Sequence, residues 1–193
     1  MLALGLATPS KADAIAGWRA YTAEASSRFG VPIEWIERVM RAESNGQTML
    51  SSHPIRSRVG AIGLMQLMPG TWNMLRSSLA LGPNPDDPHD NILAGTLYLR
   101  MMYERFGYPG MFAAYNVGPG RFAEHLATGQ ALPWETVAYL RKVSGPKGVT
   151  IAAAQKPEPE ALFAWQDPTQ LQPTSAARER SVASLFVMRN DAP

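Results

Sequence analysis

Apolar residues recur at intervals of three and four over most of the first 143 positions, and alternating runs of β-branched residues are almost missing. The spacing of Ile15, Trp18, Tyr21, Ala25 and Phe29 predicts one amphipathic helix over residues 13–29, closed by Gly30. Pro32 suits the first turn of a second helix, because its missing N–H has no partner to lose there, and Ile36, Met40 and Glu43 share one stripe of it. Ser44-Asn-Gly46 breaks this helix, and the polar stretch to Arg58 reads as a loop with a turn or short strand. Residues 60–69 are nearly all apolar, which implies burial with the Gln66 amide enclosed and in need of partners. Pro69 and Thr71 open a helix to about Leu79, and residues 82–88 form a turn-rich loop. Asp90 is the expected N-cap of a helix over residues 92–103, apolar nearly all round and so central to the core, with Gly107 ending it. Short helices are expected around residues 111–115, 121–126 and 133–143. The fold class is mostly α, with any small sheet confined between Ser51 and Leu67.

Beyond Val143 the pattern fades. Ser144-Gly-Pro-Lys-Gly148 resembles a linker, and residues 144–193 read as a flexible tail with one apolar island, Leu185-Phe-Val-Met188, whose default role is docking on the domain. With 193 residues and 46% hydrophobic content the chain can bury one core, so one domain is expected. For residues 1–17 two readings stand open: an export signal without its positively charged front end, or a flexible terminus. No later stretch approaches the roughly 20 apolar residues of a membrane span. A net charge of +2, spread evenly, gives no nucleic-acid surface, and the absence of cysteine removes disulfides, thiolate metal sites and thiol nucleophiles together.

Glu43 is the candidate for chemistry. A carboxyl at the end of an apolar stripe is partly desolvated, which raises its pKa and lets it hold a proton near neutrality for donation to a leaving group, whereas Glu34 and Glu37 point elsewhere. Taken alone, Glu43 is more simply read as capping its own helix or pairing with Arg38 or Arg41. His53, His89 and His125 are scattered, and His89 with Asp86, Asp87 and Asp90 reads as a capped helix start rather than a metal site, so neither a metal nor a cofactor is implied.

Four segments change the weighting: Glu43-Ser44, Gly60-Ala-Ile-Gly-Leu-Met-Gln-Leu-Met-Pro69, Ala114-Tyr-Asn-Val-Gly-Pro-Gly120 and Glu135-Thr-Val-Ala-Tyr139. In that order, together with residues 88–99, they resemble the soluble lytic transglycosylases, lysozyme-like enzymes that cleave bacterial peptidoglycan. The resemblance covers residues 18–143 and implies a lysozyme-like fold with Glu43 as catalytic acid and then base. It implies that Ser57, Gln66, Met68, Tyr115, Asn116 and Glu135 bind substrate and that Tyr139 hydrogen-bonds Glu43. The loop between Ser44 and Ser57 is longer than in the shortest family members, which leaves the alignment of Ser57 less secure than that of Gln66. Arg56 and Arg58 could meet substrate carboxylates or stand as solvated surface cations.

The implied partner is the peptidoglycan glycan strand, and the implied location is periplasmic or exported. Two alternatives remain: a goose-type lysozyme relative that hydrolyses the same bond with water, and a non-catalytic peptidoglycan-binding module. A small domain with a tail also resembles the accessory enzymes of secretion and conjugation machines, with the tail as the candidate contact.

Overall fold

The computed structural model describes residues 11–144. The expected tail, its island at Leu185-Phe-Val-Met188 and the N-terminal segment up to residue 10 lie outside them. The described residues form eight helices, α1 (Lys11–Ala16), α2 (Arg19–Phe29), α3 (Ile33–Glu43), α4 (Pro69–Leu79), α5 (Pro88–Phe106), α6 (Gly110–Val117), α7 (Pro119–Thr128) and α8 (Trp134–Val143), and one hairpin of β1 (Met49–Leu50) and β2 (His53–Pro54). Among them, no helix is long and apolar enough to cross a membrane.

α5 is the axis of the domain. Ile92, Leu93, Ala94, Thr96 and Leu99 are essentially inaccessible, and α2, α4 and α6 pack around it. α6 in turn carries α7 and α8, and α8 returns to α3, so the C-terminal ends of α3 and α8 are brought together although about a hundred residues separate them. The core runs through Phe29, Ile36, Met40, Met65, Leu75, Phe112, Phe122 and Leu140.

Three boundaries differ from the sequence expectation. The single helix over residues 13–29 is two, parted at Gly17-Trp18, because the Trp18 indole donates to the Gly46 carbonyl at 2.8 Å, a partner 28 residues away that no local periodicity reveals. Asp87, not Asp90, caps α5: its carboxylate accepts from the Asp90 amide at 3.0 Å, and Pro88 takes the first helical position. The hairpin begins at Met49, two residues before the expected segment, with Met49 paired to Pro54 and Leu50 to His53; isolated bridges join Arg56 to Ile62 and Ile62 to Leu67.

The end of α3 is built by its own sequence. Ser44, buried, donates from Oγ to the Met40 carbonyl at 3.2 Å and accepts from the Gly46 amide at 3.2 Å, which satisfies the last turn and bends the chain away immediately after Glu43. Gly46 is required in that bend: its φ is +75°, and a Cβ there would lie 2.8 Å from Ile15 and 3.0 Å from the Ala14 backbone.

Candidate active site

Tyr115 connects two features: it lines a cleft of about 150 Å3 together with Gln66, Met68, Thr71, Tyr98 and Asn116, and it stands in the field of the Glu43 carboxyl, which is not itself part of that lining.

Burial lifts the pKa of Glu43 from its ordinary 4.5 to about 7, and the Tyr139 hydroxyl and the Lys142 ammonium act against that rise. A neutral carboxyl avoids the cost of holding a charge where little water reaches it, so near neutrality the group is divided between acid and base forms. The capping and ion-pairing alternatives do not hold. Ser44 completes the helix end, Arg38 donates to the Val143 carbonyl at 3.5 Å, and Arg41 is exposed. Glu37, on the same helix, pairs with Arg19 at 3.5 Å.

The three groups around Glu43 come from α6 and α8. Tyr115 and Tyr139 are both buried, and burial followed by the negative field of Glu43 raises both phenol pKa values well above 10. The Tyr139 hydroxyl completes no hydrogen bond of standard geometry, yet it stands close enough to Glu43 to lower the carboxyl's pKa. Lys142, one turn further along α8, donates to the carbonyl of Ala42 at 3.2 Å, beside Glu43 in the chain.

The cleft wall is a tight turn. Ile62 and Leu67 exchange backbone hydrogen bonds at 2.9 and 3.0 Å, and the turn between them places Gly63 at φ +75° and Gln66 at φ +46°. A left-handed conformation costs an L-residue roughly 1–2 kcal/mol, so Gln66 is held there by its surroundings. Those surroundings are specific. The Tyr115 hydroxyl donates to the Met65 carbonyl at 2.8 Å. Asn91, inside α5, accepts from the Met65 amide at 2.8 Å and donates to the carbonyls of Ile62 at 3.2 Å and Pro85 at 3.1 Å. Gly95, one turn beyond, has no Cβ, and one placed there would lie 2.4 Å from the Met65 Cβ.

The expected residues are therefore distributed as follows. Gln66, Met68, Tyr115 and Asn116 line one cleft, and Tyr115 and Tyr139 both feel Glu43. Gln66 is half-buried rather than enclosed, with one amide hydrogen on the Gly63 carbonyl at 2.8 Å; the enclosed amide is Asn91. Tyr115 presents its ring, tilted on Tyr98 at 5.1 Å, while its hydroxyl proton is committed to Met65. Asn116 is exposed and accepts from Thr136 at 2.9 Å, which leaves its NH2 free of that bond. Ser57 uses its oxygen to accept from the Ala61 amide at 2.9 Å and so braces its own loop. Glu135 stands exposed in the first turn of α8, four positions before Tyr139. Neither Ser57 nor Glu135 joins the lining of the 150 Å3 cleft.

Arg56 is occupied: two guanidinium nitrogens lie 2.5 and 2.6 Å from the carboxylate oxygens of Asp86. Arg58 is exposed and forms no ion pair among the described residues. Asp87, His89 and Asp90 place ligand atoms within 4.8 Å of one another, but their contacts are those of a helix start. Asp87 caps the Asp90 amide, Asp90 accepts from Gly82 at 2.9 Å, and His89 lies 3.0 Å from Glu24. Reading the sequence missed Tyr98, Asn91, Gly95, Thr136 and Lys142. Only Gly95, a glycine inside a strong helical pattern, carried a signal that could have been read as a close approach.

The profile of the Transglycosylase SLT domain matches residues 20–135. The soluble lytic murein transglycosylase of Escherichia coli K12 is 46% identical over 74 residues, 35% of this chain and 12% of that protein. The 70 kDa soluble lytic transglycosylase of Escherichia coli superposes with a TM-score of 0.57 at 29% identity, over 65% of this chain and 22% of that one. An inactive glutamate-to-glutamine mutant of lytic transglycosylase Slt from Pseudomonas aeruginosa superposes at 0.51 and 30% identity, over 64% and 20%. The chain thus spans about an eighth of the length of that first relative.

Proposed function

The chain belongs to the Transglycosylase SLT domain family, and from that premise we propose that it is a peptidoglycan lytic transglycosylase acting through Glu43. The observation that carries this reading is a desolvated carboxyl, with a pKa of about 7, set among Tyr115, Tyr139 and Lys142, of which Tyr115 also lines the cleft. In the acid form Glu43 protonates the glycosidic oxygen between N-acetylmuramic acid and N-acetylglucosamine as the bond to C1 breaks. The 2-acetamido oxygen of the muramic sugar stabilises the positive charge at C1, the part a second carboxylate takes in ordinary glycosidases. The Glu43 carboxylate then removes the proton of the C6 hydroxyl as its oxygen bonds to C1. Glu43 regains its proton, no water is consumed, and the product ends in a 1,6-anhydro sugar.

A pKa near the working pH serves both halves of this cycle, since the same group must give a proton and take one back. The Tyr139 hydroxyl, buried without a completed hydrogen bond, is a donor held in reserve for the carboxylate. Substrate assistance lets Glu43 act alone as acid and then base. Tyr98 and Tyr115 offer apolar ring surface to a sugar, and Gln66 and Asn116 offer amides. We assign substrate binding to Gln66, Met68, Tyr115 and Asn116, with Ser57 and Glu135 as outer contacts. The relative inactivated by a glutamate-to-glutamine change supports dependence on one carboxyl. A peptidoglycan substrate supports action in the periplasm or outside the cell, and service to a secretion or conjugation machine would rest on residues beyond 144.

The test is to incubate the protein and its Glu43→Gln variant with isolated peptidoglycan and weigh the released muropeptides. Products one water lighter than reducing muropeptides, lost in the variant, are expected. Reducing ends would make it a hydrolase of the goose type, and wall binding without release would make it a binding module.

A further inference from the structure

A second cavity, of about 210 Å3, lies between α7 and the connection to α8, lined by Arg121, Glu124, His125, Gln130, Leu132 and Pro133. Val117 belongs to its wall and to that of the 150 Å3 cleft, so one residue separates the two. The Asn116–Thr136 hydrogen bond ties the same two elements together.

Arg121 and Glu124, both exposed and so reachable from solvent, are three positions apart on α7 and line the same cavity, and they form no ion pair with each other or with any described residue. The rest of the wall is fixed. His125 Nδ1 meets the Gln130 carbonyl at 2.5 Å, its ring lies 5.8 Å from that of Phe122, and the Gln130 amide donates to Thr128 Oγ1 at 3.2 Å. Leu132 and Pro133 supply apolar surface. Two opposite charges that do not satisfy each other, on a braced wall of this size, match a ligand end that carries a carboxylate and an ammonium on a short aliphatic frame.

We propose that this cavity binds the zwitterionic amino-acid end of a peptidoglycan stem peptide, with Arg121 receiving the carboxylate, Glu124 the ammonium, and Leu132 and Pro133 the aliphatic portion. The inference rests on the peptidoglycan reading of the neighbouring cleft, and it makes the peptide a determinant of which glycan units are held.

Because the proposal concerns the peptide alone, its test needs no cleavage. A free stem tripeptide ending in a diamino acid is titrated into the protein by calorimetry and by amide NMR. The same is done with a peptide whose carboxylates are amidated and with one whose amine is acetylated. Saturable binding with shifts confined to residues 117–134 is expected, weakened about tenfold by either modification. Arg121→Gln should lose the same factor for the native peptide and bind the amidated peptide no more weakly than the parent does. Equal binding of all three peptides, shifts elsewhere, or no saturation at millimolar peptide would overturn the proposal. The modified peptides keep the test valid if the variant does not fold. A protein that binds the peptide here but releases no muropeptides would lose the transglycosylase reading and keep this site; the reverse result would do the opposite.

Discussion

Replacing Glu43 by Gln should make the protein more stable in alkaline solution while removing its activity. In the unfolded chain this carboxyl titrates near 4.5, and in the folded protein at about 7. Between those values the folded state binds the extra proton, so stability falls as pH rises; the contribution is fully present below about 4.5 and gone above about 7. At about 1.4 kcal/mol for each pH unit, the interval amounts to at most roughly 3 kcal/mol, and less to the extent that water reaches the partly exposed side chain. Glutamine has the same shape and cannot ionise, so it escapes that cost. The two proteins should therefore denature at similar urea concentrations at about pH 4, and the variant should be the more stable by about 2–3 kcal/mol at about pH 9, a shift in Tm of roughly 10 °C for a domain of this size. Urea titrations at the two pH values, followed by tryptophan fluorescence, measure the difference. A gap between parent and variant that stays constant across pH would refute the idea that Glu43 is desolvated, and with it the reason for making it the acid.

Lys142→Met removes the cation that holds the Glu43 pKa down, so the alkaline limb of the kcat/KM profile for muropeptide release should move to higher pH; an unmoved or lowered limb would count against the pairing. Gly95→Ala gains about 1 kcal/mol of helix propensity but drives a methyl group to 2.4 Å from Met65, an overpacking that costs about 1–3 kcal/mol. Net destabilisation by urea titration is the expected result, and a stabilised variant would contradict it. Tyr115→Phe strips the hydroxyl from the Met65 carbonyl and should cost about 1–2 kcal/mol in the same titration. It should also raise KM on peptidoglycan, because the Gln66 turn loses one of its anchors.

Much of the helix inventory was legible because it is written in local chemistry. The Pro69 start, the Gly30 and Gly107 ends, and the buried stripe of α5 all lie within a turn or two of the residues that cause them. The cap of α5 and the start of the hairpin were misplaced within local chemistry, whereas two other errors have a deciding partner far along the chain. Trp18 breaks the first helix for Gly46, and Asn91 takes the buried-amide role expected of Gln66, because the turn at 62–67 closes against α5 rather than around its own glutamine. Arg56, open in the sequence to a role with anionic substrate, is held by Asp86 thirty residues on.

The sequence by itself determined a mostly helical domain, the stripe that ends in Glu43, and the order of segments that resembles one enzyme family, since periodicity, caps and motif order are properties of neighbours in the chain. Tertiary structure alone decided that Glu43 sits at a pKa of about 7. Its desolvation exists only in the packed fold, and the Tyr139 hydroxyl and Lys142 ammonium that temper it come from α8, about a hundred residues away.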